Sequence, residues 1–515
     1  MESRASHRFR AIARGSRRAA LLAFCLLLLA PAHPQAGTRA GRRLDLTLLH
    51  TNDIHGHMLP YDYGDQTNVG GAARRATLID RIKREAHHPV LVIDSGDVVT
   101  RGPLWTEFEG KLDIDVMNAL AYDLAAVGNN EFKVRADRSA QGVLLSLVRR
   151  SHFPWLCANA FDGSGGYLPG VKPYLIRTID GVRIAFLGLT APRSATYPQT
   201  VGWKITDPLE AARILLPRLR READLVIAVT HIGYGLDLQL AGENPDLDAI
   251  IGGDSHTYLT GMTLVQRPRD PQQPSRTRRL GIPVVQDGEF GHDLGRLDLH
   301  LEQAGSGAWE LRAAEWQTIP ITAALPARPD VAALIDRQAA ALRRPIGTVA
   351  VPGRSAAERN LATRRLIARA LKDETGADVG LQPAESLFGE WKSGPISRYD
   401  VYYVLPFPNR AAVVTLKGSE LLKALAVPGM ASAGAEVSPS TSGRQPEVRV
   451  TGAPLDPVRT YRVAAEDYHA ANTPGLKGAP AETRDDDRDL VVRWLRKGRR
   501  QASGASRQSS PGQRQ

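Results

Sequence analysis

Apolar residues in this chain come in short, nearly continuous blocks that stop on glycine, and the polar residues at those stops are of few kinds. Leu44 to Thr51 alternates large apolar with other residues at the period of a strand and runs into Asn52-Asp53-Ile54-His55-Gly56-His57. Val90 to Asp97 stops on Gly96-Asp97, and Leu124 to Glu131 on Gly128-Asn129. Leu225 to His231 stops on His231, followed by Gly233, and Leu247 to His256 stops on Asp254 and His256. Five predicted strands thus each deliver a nitrogen or oxygen donor beside a glycine, where the backbone can turn sharply. Ligands collect in the crevice beyond the strand ends of open α/β sheets, and Asp with His is an ordinary donor set for a divalent ion.

Helical periods separate these strands. Gly70 to Arg84 places Ala73, Leu78, Ile79 and Ile82 on one side and predicts that Arg74, Arg75, Arg81 and Lys83 point away. Gly110 to Leu120 forms another helix, and Asp207-Pro208 opens one that runs to Arg221, with proline in the first turn. Arg183 to Leu189 reads as a buried strand. This alternation predicts the α/β class. The Ala- and Leu-rich stretch at 326–344 predicts an isolated connecting helix between a domain over 44–325 and a smaller α/β domain over 345–495. Gly429 to Gln445 reads as a loop, and 496–515 as a disordered tail.

Composition then sets limits. Residues 1–32 hold six Arg and one Glu, an apolar run from Ala19 to Ala30, and a small-x-small end at Ala30-Pro31-Ala32. That is the pattern of a signal peptide, with an apolar run too short for a membrane span. The expected location is periplasmic or secreted, with no stable membrane anchor. Cys25 follows Phe24 and so offers no lipoprotein site; once it is removed, Cys157 stands alone and no internal disulfide can form. Removal of 1–32 also leaves 60 basic against 54 acidic residues, an excess of about +6 held partly at Arg267 to Arg279 and Arg496 to Arg500. No nucleic-acid partner is required by that excess. The oligomeric state is left open.

The order D-x-H, G-D, G-N-x-E-F, T-H-x-G and G-G-x-S-H resembles the calcineurin-like metallophosphoesterases, specifically the secreted 5'-nucleotidase/UDP-sugar hydrolase family, from Leu44 to about Leu301. Gly394-Pro395-Ile396 and Val404 to Asn409 resemble that family's second-domain segments. The resemblance implies a two-sheet sandwich flanked by helices, followed by a smaller α/β domain. It implies two divalent ions bridged by Asp97, one completed by Asp53, His55 and His256 and the other by Asn129, His231 and Asp254. Such a pair makes hydroxide available near neutral pH and holds phosphoryl oxygens for in-line attack on a small phosphate ester, a 5'-nucleotide or related nucleotide sugar.

The chain departs from the family pattern in three respects. Asn130 stands at the histidine that assists the transition state, a neutral donor in place of a charge-assisted one, and Lys133 at the aspartate that orients it. Asp254 replaces a histidine; as a third carboxylate it cancels the site's positive charge and favours manganese or magnesium over zinc, manganese first. The nucleotide-gripping loops are replaced by Gln382 to Gly389 and Asn472 to Leu476, where Phe388 or Trp391 is either a base-stacking ring or an ordinary core aromatic. The leading expectation is therefore an exported dinuclear-metal phosphoesterase with altered or reduced activity. The alternatives are an impaired relative that binds a phosphorylated ligand and a hydrolase of a different ester, as in the thiosulfohydrolases. Among other residues, His57 is expected to be a loop or supporting group, His50 to pack, Asp94 to satisfy a turn, and Asn159 to support the site or cap a strand. His292, His300 and His469 have no context favouring ligation.

Overall fold

The computed structural model describes residues 41–63, 66–133, 140–197, 200–267, 280–407, 409–438 and 447–508. The predicted signal peptide, nearly all of the Arg267 to Arg279 loop and residues 509–515 of the predicted tail lie outside these. Among the described residues no helix is long and apolar enough to cross a membrane.

The first domain is built on two sheets. One has seven strands, with Val90–Asp94 at its centre between Arg43–Thr51 and Leu124–Ala126, parallel to both, and with Arg43–Thr51 in turn antiparallel to Asp293–Gln303. The other has six, in which Val182–Thr190, Leu225–His231 and Ala249–Ile251 run parallel. Strand period sorts the side chains. Ile184 and Phe186 join Leu46, Leu48, Ile227 and Val229 in the core between the sheets, while Ala185 and Leu187 pack with Ala212, Leu216 and Leu219 of the helix Pro208–Glu222. Each such fully buried aliphatic or aromatic side chain contributes roughly 1.5–3 kcal/mol, and a one-residue slip would exchange the two sets, so register is firmly fixed. All the parallel strands therefore end at the same edge of the sandwich, which brings their terminal polar residues together. Asp207 caps the helix Pro208–Glu222 through a bond from the Glu210 amide, 2.9 Å long.

The second domain is a five-stranded sheet, Ala431–Ala433, Val379–Gln382, Thr460–Glu466, Arg410–Lys417 and Ala481–Asp486, packed on the helix Ala356–Thr375. That helix opens with a reciprocal cap between Ser355 and Glu358 and closes on Gly376 in the left-handed conformation.

Four expectations are corrected. Arg75 is fully buried instead of pointing away from the helix Ala72–Glu85. It shares the face of Ile79 and Ile82 at helical spacing, and the buried carboxylates Asp94 and Asp113 draw its charge inward. The connecting helix, Pro329–Ala339, is not isolated: Val331, Ile335 and Ala339 are buried, and it packs on the helices Ala72–Glu85 and Lys111–Ala119. The stretch expected to be a loop forms the strands Ala431–Ala433 and Ala435–Ser438 as far as it is described. The final helix, Asp487–Gln508, continues through most of the region expected to be disordered.

Candidate metal centre

His231 is the last residue of its strand, every other candidate ligand sits on the tight turn that follows one, and five of them, Asp53, His55, Asp97, Asp254 and His256, adopt positive φ between 50° and 84°. Non-glycine residues pay for that conformation only where the surroundings impose it, and such strain gathers at functional sites. Here backbone bonds lock the turns to one another: the amide of Asp53 donates to the Gly96 carbonyl (3.0 Å), that of His55 to Asp97 (2.9 Å) and that of Gly56 to Val98 (2.8 Å). Gly128 is needed because a Cβ there would collide with the amide and carboxylate of Asp97. Glu131 stitches the Asp97 and Gly128 turns together, its carboxylate accepting from the amides of Asp97 (3.0 Å), Val98 (2.9 Å) and Gly128 (2.7 Å).

The turns converge. Asp53 Oδ1 lies 3.7 Å from His55 Nε2, 3.7 Å from His231 Nε2 and 3.2 Å from His256 Nε2. Asp97 Oδ2 lies 3.2 Å from His231 Nε2 and 3.8 Å from His55 Nε2. Two overlapping sets, Asp53–His55–His256 and Asp53–Asp97–His231, have donor atoms close enough together to hold a metal ion. The chemistry of the donors fits a cation. Asp53 Oδ1 and His231 Nε2 are buried without a hydrogen-bond partner, and His55 Nε2 faces His256 Nε2 at 3.2 Å. His256 Nδ1 is held by Glu289 (2.6 Å) and His231 Nδ1 by the Ser95 carbonyl (2.7 Å), which fixes the tautomer and leaves the Nε2 lone pairs for an ion.

Electrostatics are set by burial against charge. Burial raises the Asp97 carboxyl, but the facing His231 and His55 outweigh it and hold it well below the usual carboxylate range. Burial lowers His256, yet the Asp53 and Glu289 carboxylates beside it push it up to about 9, so its Nε2 becomes a ligand by exchanging a proton for a cation. Burial dominates at His55, which lies well below the usual imidazole range.

The remaining candidates are placed differently from one another. Asn130 spends its amide on Asp97: its backbone N–H reaches Oδ1 at 2.6 Å and its side-chain N–H bonds Oδ2. Asn129 and Asp254 do come to the site, but the guanidinium of Arg193 engages both, Nη1 donating to Asp254 Oδ2 (2.5 Å) and Nη2 to Asn129 Oδ1 (2.8 Å) and Asp254 Oδ1. Lys133 lies over the Tyr197 ring at 5.0 Å, near Arg193 and Arg101. Phe388 reaches across from the second domain to Phe290 (5.4 Å) and His57 (5.7 Å), beside a cavity of about 730 Å³ that Tyr61, Tyr63, Arg359 and Tyr403 also line. Trp391 is 2% exposed, with its indole N–H on the Asp400 carbonyl (3.0 Å), and it too lines that cavity.

His57 is buried against Tyr61 and Phe290, and His50 is buried against Trp316. Asp94 accepts from Thr51 and Gly96, and Asn159 ties Thr190 to Thr206, both structural roles. Cys157 is buried, which pushes its thiol up to about 12. His292 pairs with Asp293 and His300 with Asp45, and His469 lies near Glu385 and Glu466. Sequence reasoning missed Glu289, which lies outside the five motifs, and Arg193, which follows a strand end at Thr190 that carries no ligand-type residue.

Known proteins resemble this chain along most of its length. Residues 46–258 match the calcineurin-like phosphoesterase family and residues 345–480 the 5'-nucleotidase C-terminal domain. Protein UshA of Yersinia enterocolitica is 29% identical over 84% of this chain and 86% of its own length. The 5'-nucleotidase of Vibrio cholerae is 28% identical over 86% of this chain and 87% of its own. The crystal structure of the 5'-nucleotidase precursor from Thermus thermophilus superposes with a TM-score of 0.64 at 27% identity, covering 88% of this chain and 96% of that one.

Proposed function

This chain belongs to the 5'-nucleotidase family, a calcineurin-like metallophosphoesterase domain joined to a 5'-nucleotidase C-terminal domain, and is a metal-dependent phosphoester hydrolase; from that premise we propose that it is exported and cleaves the phosphate ester of a 5'-nucleotide or a related nucleotide sugar. The observation that carries this reading is the meeting of Asp53, His55, Asp97, His231 and His256, among which Asp53 Oδ1 and His231 Nε2 are buried without a hydrogen-bond partner.

In this reading the two overlapping sets, Asp53–His55–His256 and Asp53–Asp97–His231, each hold a divalent cation, manganese, magnesium or zinc. Such an ion lowers the pKa of a bound water and polarises the phosphoryl group. The chain supplies the rest. Glu289 and the Ser95 carbonyl keep His256 and His231 in the tautomer that offers Nε2. Asn130 holds the Asp97 carboxylate in place through its backbone N–H and one side-chain N–H, and its second side-chain N–H is the donor it has left for a phosphoryl oxygen. Arg101, Lys133 and Arg193 make the rim positive, which draws in an anionic ester. The cavity beside Phe388 has room for the group that the phosphate leaves behind, and Phe388 is the aromatic placed to contact it.

The test is turnover of p-nitrophenyl phosphate, AMP and a UDP-sugar by full-length protein with added Mn²⁺. Phosphate release from AMP or nucleotide release from the UDP-sugar is expected, abolished by chelation. Turnover of the nitrophenyl ester alone would remove the nucleotide assignment, and no turnover of any would remove the catalytic one. Appearance of the protein in a periplasmic or culture-medium fraction tests export; retention in the cytoplasm would refute it.

A further inference from the structure

We infer that Arg101 is a substrate-contacting residue: its guanidinium grips the phosphoryl oxygens of the ester at the Asp53–His55–His256 end of the centre. This rests on the hydrolase reading and adds to it the side chain that meets the phosphate. The segment that carries Arg101 is tied to the turn that carries His55. The Gly56 amide donates to the Val98 carbonyl (2.8 Å), His55 Nδ1 lies 3.4 Å from the Val99 carbonyl, and a Cβ on Gly102 would collide with the carbonyls of His55 and Gly56. Thr100 and Arg101 stand between those anchors.

The backbone there is held at a cost. Thr100 and Arg101 have φ of 73° and 60° in succession, and the Gly102 amide bonds the Thr100 carbonyl at 2.7 Å, a γ-turn centred on Arg101. Positive φ is an outlier for a β-branched residue, and a γ-turn of this hand is rare and strained. The Thr100 hydroxyl is also buried without a hydrogen-bond partner. Strain of this kind gathers at ligand clamps.

Of the three cations at the rim, Arg101 is the one left to meet an anion. Arg193 is paired with Asp254, and Lys133 lies over the Tyr197 ring. Glu289, on which the Arg101 charge acts, is already engaged by His256 (2.6 Å) and Tyr63 (3.3 Å). Arg101 is half-buried, and among the described residues none bonds its guanidinium or stacks on it. Its charge reaches the centre: after burial it is the strongest influence holding His55 down. A planar guanidinium matches two oxygens of a phosphoryl group, and it supplies the charge-assisted donor that the neutral amide of Asn130 does not.

The test uses full-length protein loaded with Mn²⁺, titrated with inorganic phosphate by calorimetry and assayed on p-nitrophenyl phosphate, beside Arg101→Gly and Arg101→Asn. Both replacements accept a left-handed backbone, so the turn is kept while the charge is removed. Each variant should fold, by circular dichroism, and retain as much metal as the unaltered protein, yet bind phosphate about 10- to 100-fold more weakly, with kcat/KM lowered at least as far. Unchanged phosphate affinity in the variants, or a loss that follows loss of bound metal, would overturn the inference and leave the hydrolase reading intact. An unaltered protein that neither bound nor released phosphate would overturn the hydrolase reading, and this inference with it.

Discussion

Two ends of one metal centre, a few ångströms apart, are built in opposite ways. Around Asp53, His55 and His256 the side chains converge on Asp53 Oδ1, which is buried without a hydrogen-bond partner, and Glu289 holds His256 from behind. Around Asn129 and Asp254 the same kinds of atoms are already satisfied by an arginine from a neighbouring strand end. The residue types alone would rank both ends as ligand sets. What separates them is whether a donor has been left without a partner, since an unpartnered buried acceptor costs free energy until a cation arrives.

The largest effect is expected where both candidate donor sets overlap. Asp53→Asn should lower kcat/KM for p-nitrophenyl phosphate at least about 1000-fold, roughly 4 kcal/mol of transition-state stabilisation, and should reduce bound metal in parallel. A variant that kept its metal and its rate would erase the distinction between the two ends. Next comes Glu289→Gln, which leaves every proposed ligand in place but weakens the grip on His256 Nδ1. Loss of an outer partner of this kind costs about 10- to 100-fold in metal affinity, read directly by titration. Unchanged affinity would mean that His256 is oriented by something other than Glu289.

The smallest effect lies in the second domain, away from the centre. Glu466 is 1% exposed, bonded by Gln382 (2.6 Å) and Asn409 (2.7 Å), and burial pushes it up to about 7 from an ordinary value of 4.5. Its folded pKa lies above its unfolded one, so the folded state binds the extra proton and stability falls as pH rises between those values. The slope is at most about 1.4 kcal/mol per pH unit. Denaturant melts of Glu466→Gln should show a flatter profile between pH 4.5 and 7 than the unaltered protein. An equal slope in both would assign that pH dependence to other groups.

How much of this could be read in the chain differs from residue to residue. Asp53, His55, Asp97, His231 and His256 were legible because each ends an apolar block beside a glycine, and parallel strands buried on both faces have to end together. Arg75 was misread because its charge was weighed above its place on the face of Ile79 and Ile82. The connecting helix was misread because Val331, Ile335 and Ala339 reveal a buried stripe only once the first domain's helices stand beside them. Trp391 and Phe388 were indistinguishable as aromatics in a loop; their neighbours separate them.

By itself, then, the sequence determined the order of strands and helices, the register that carries five donor-bearing turns to one edge, and the kind of ion those donors suit. These follow from local period and from side-chain chemistry, which a linear string records. Only the tertiary structure decided that Asn129 and Asp254 are engaged by Arg193, that Glu289 stands behind His256, and that Asn130 supports Asp97. Each of those is a contact between distant segments, and hydrogen bonds are decided by distance and direction in space, which no one-dimensional pattern contains.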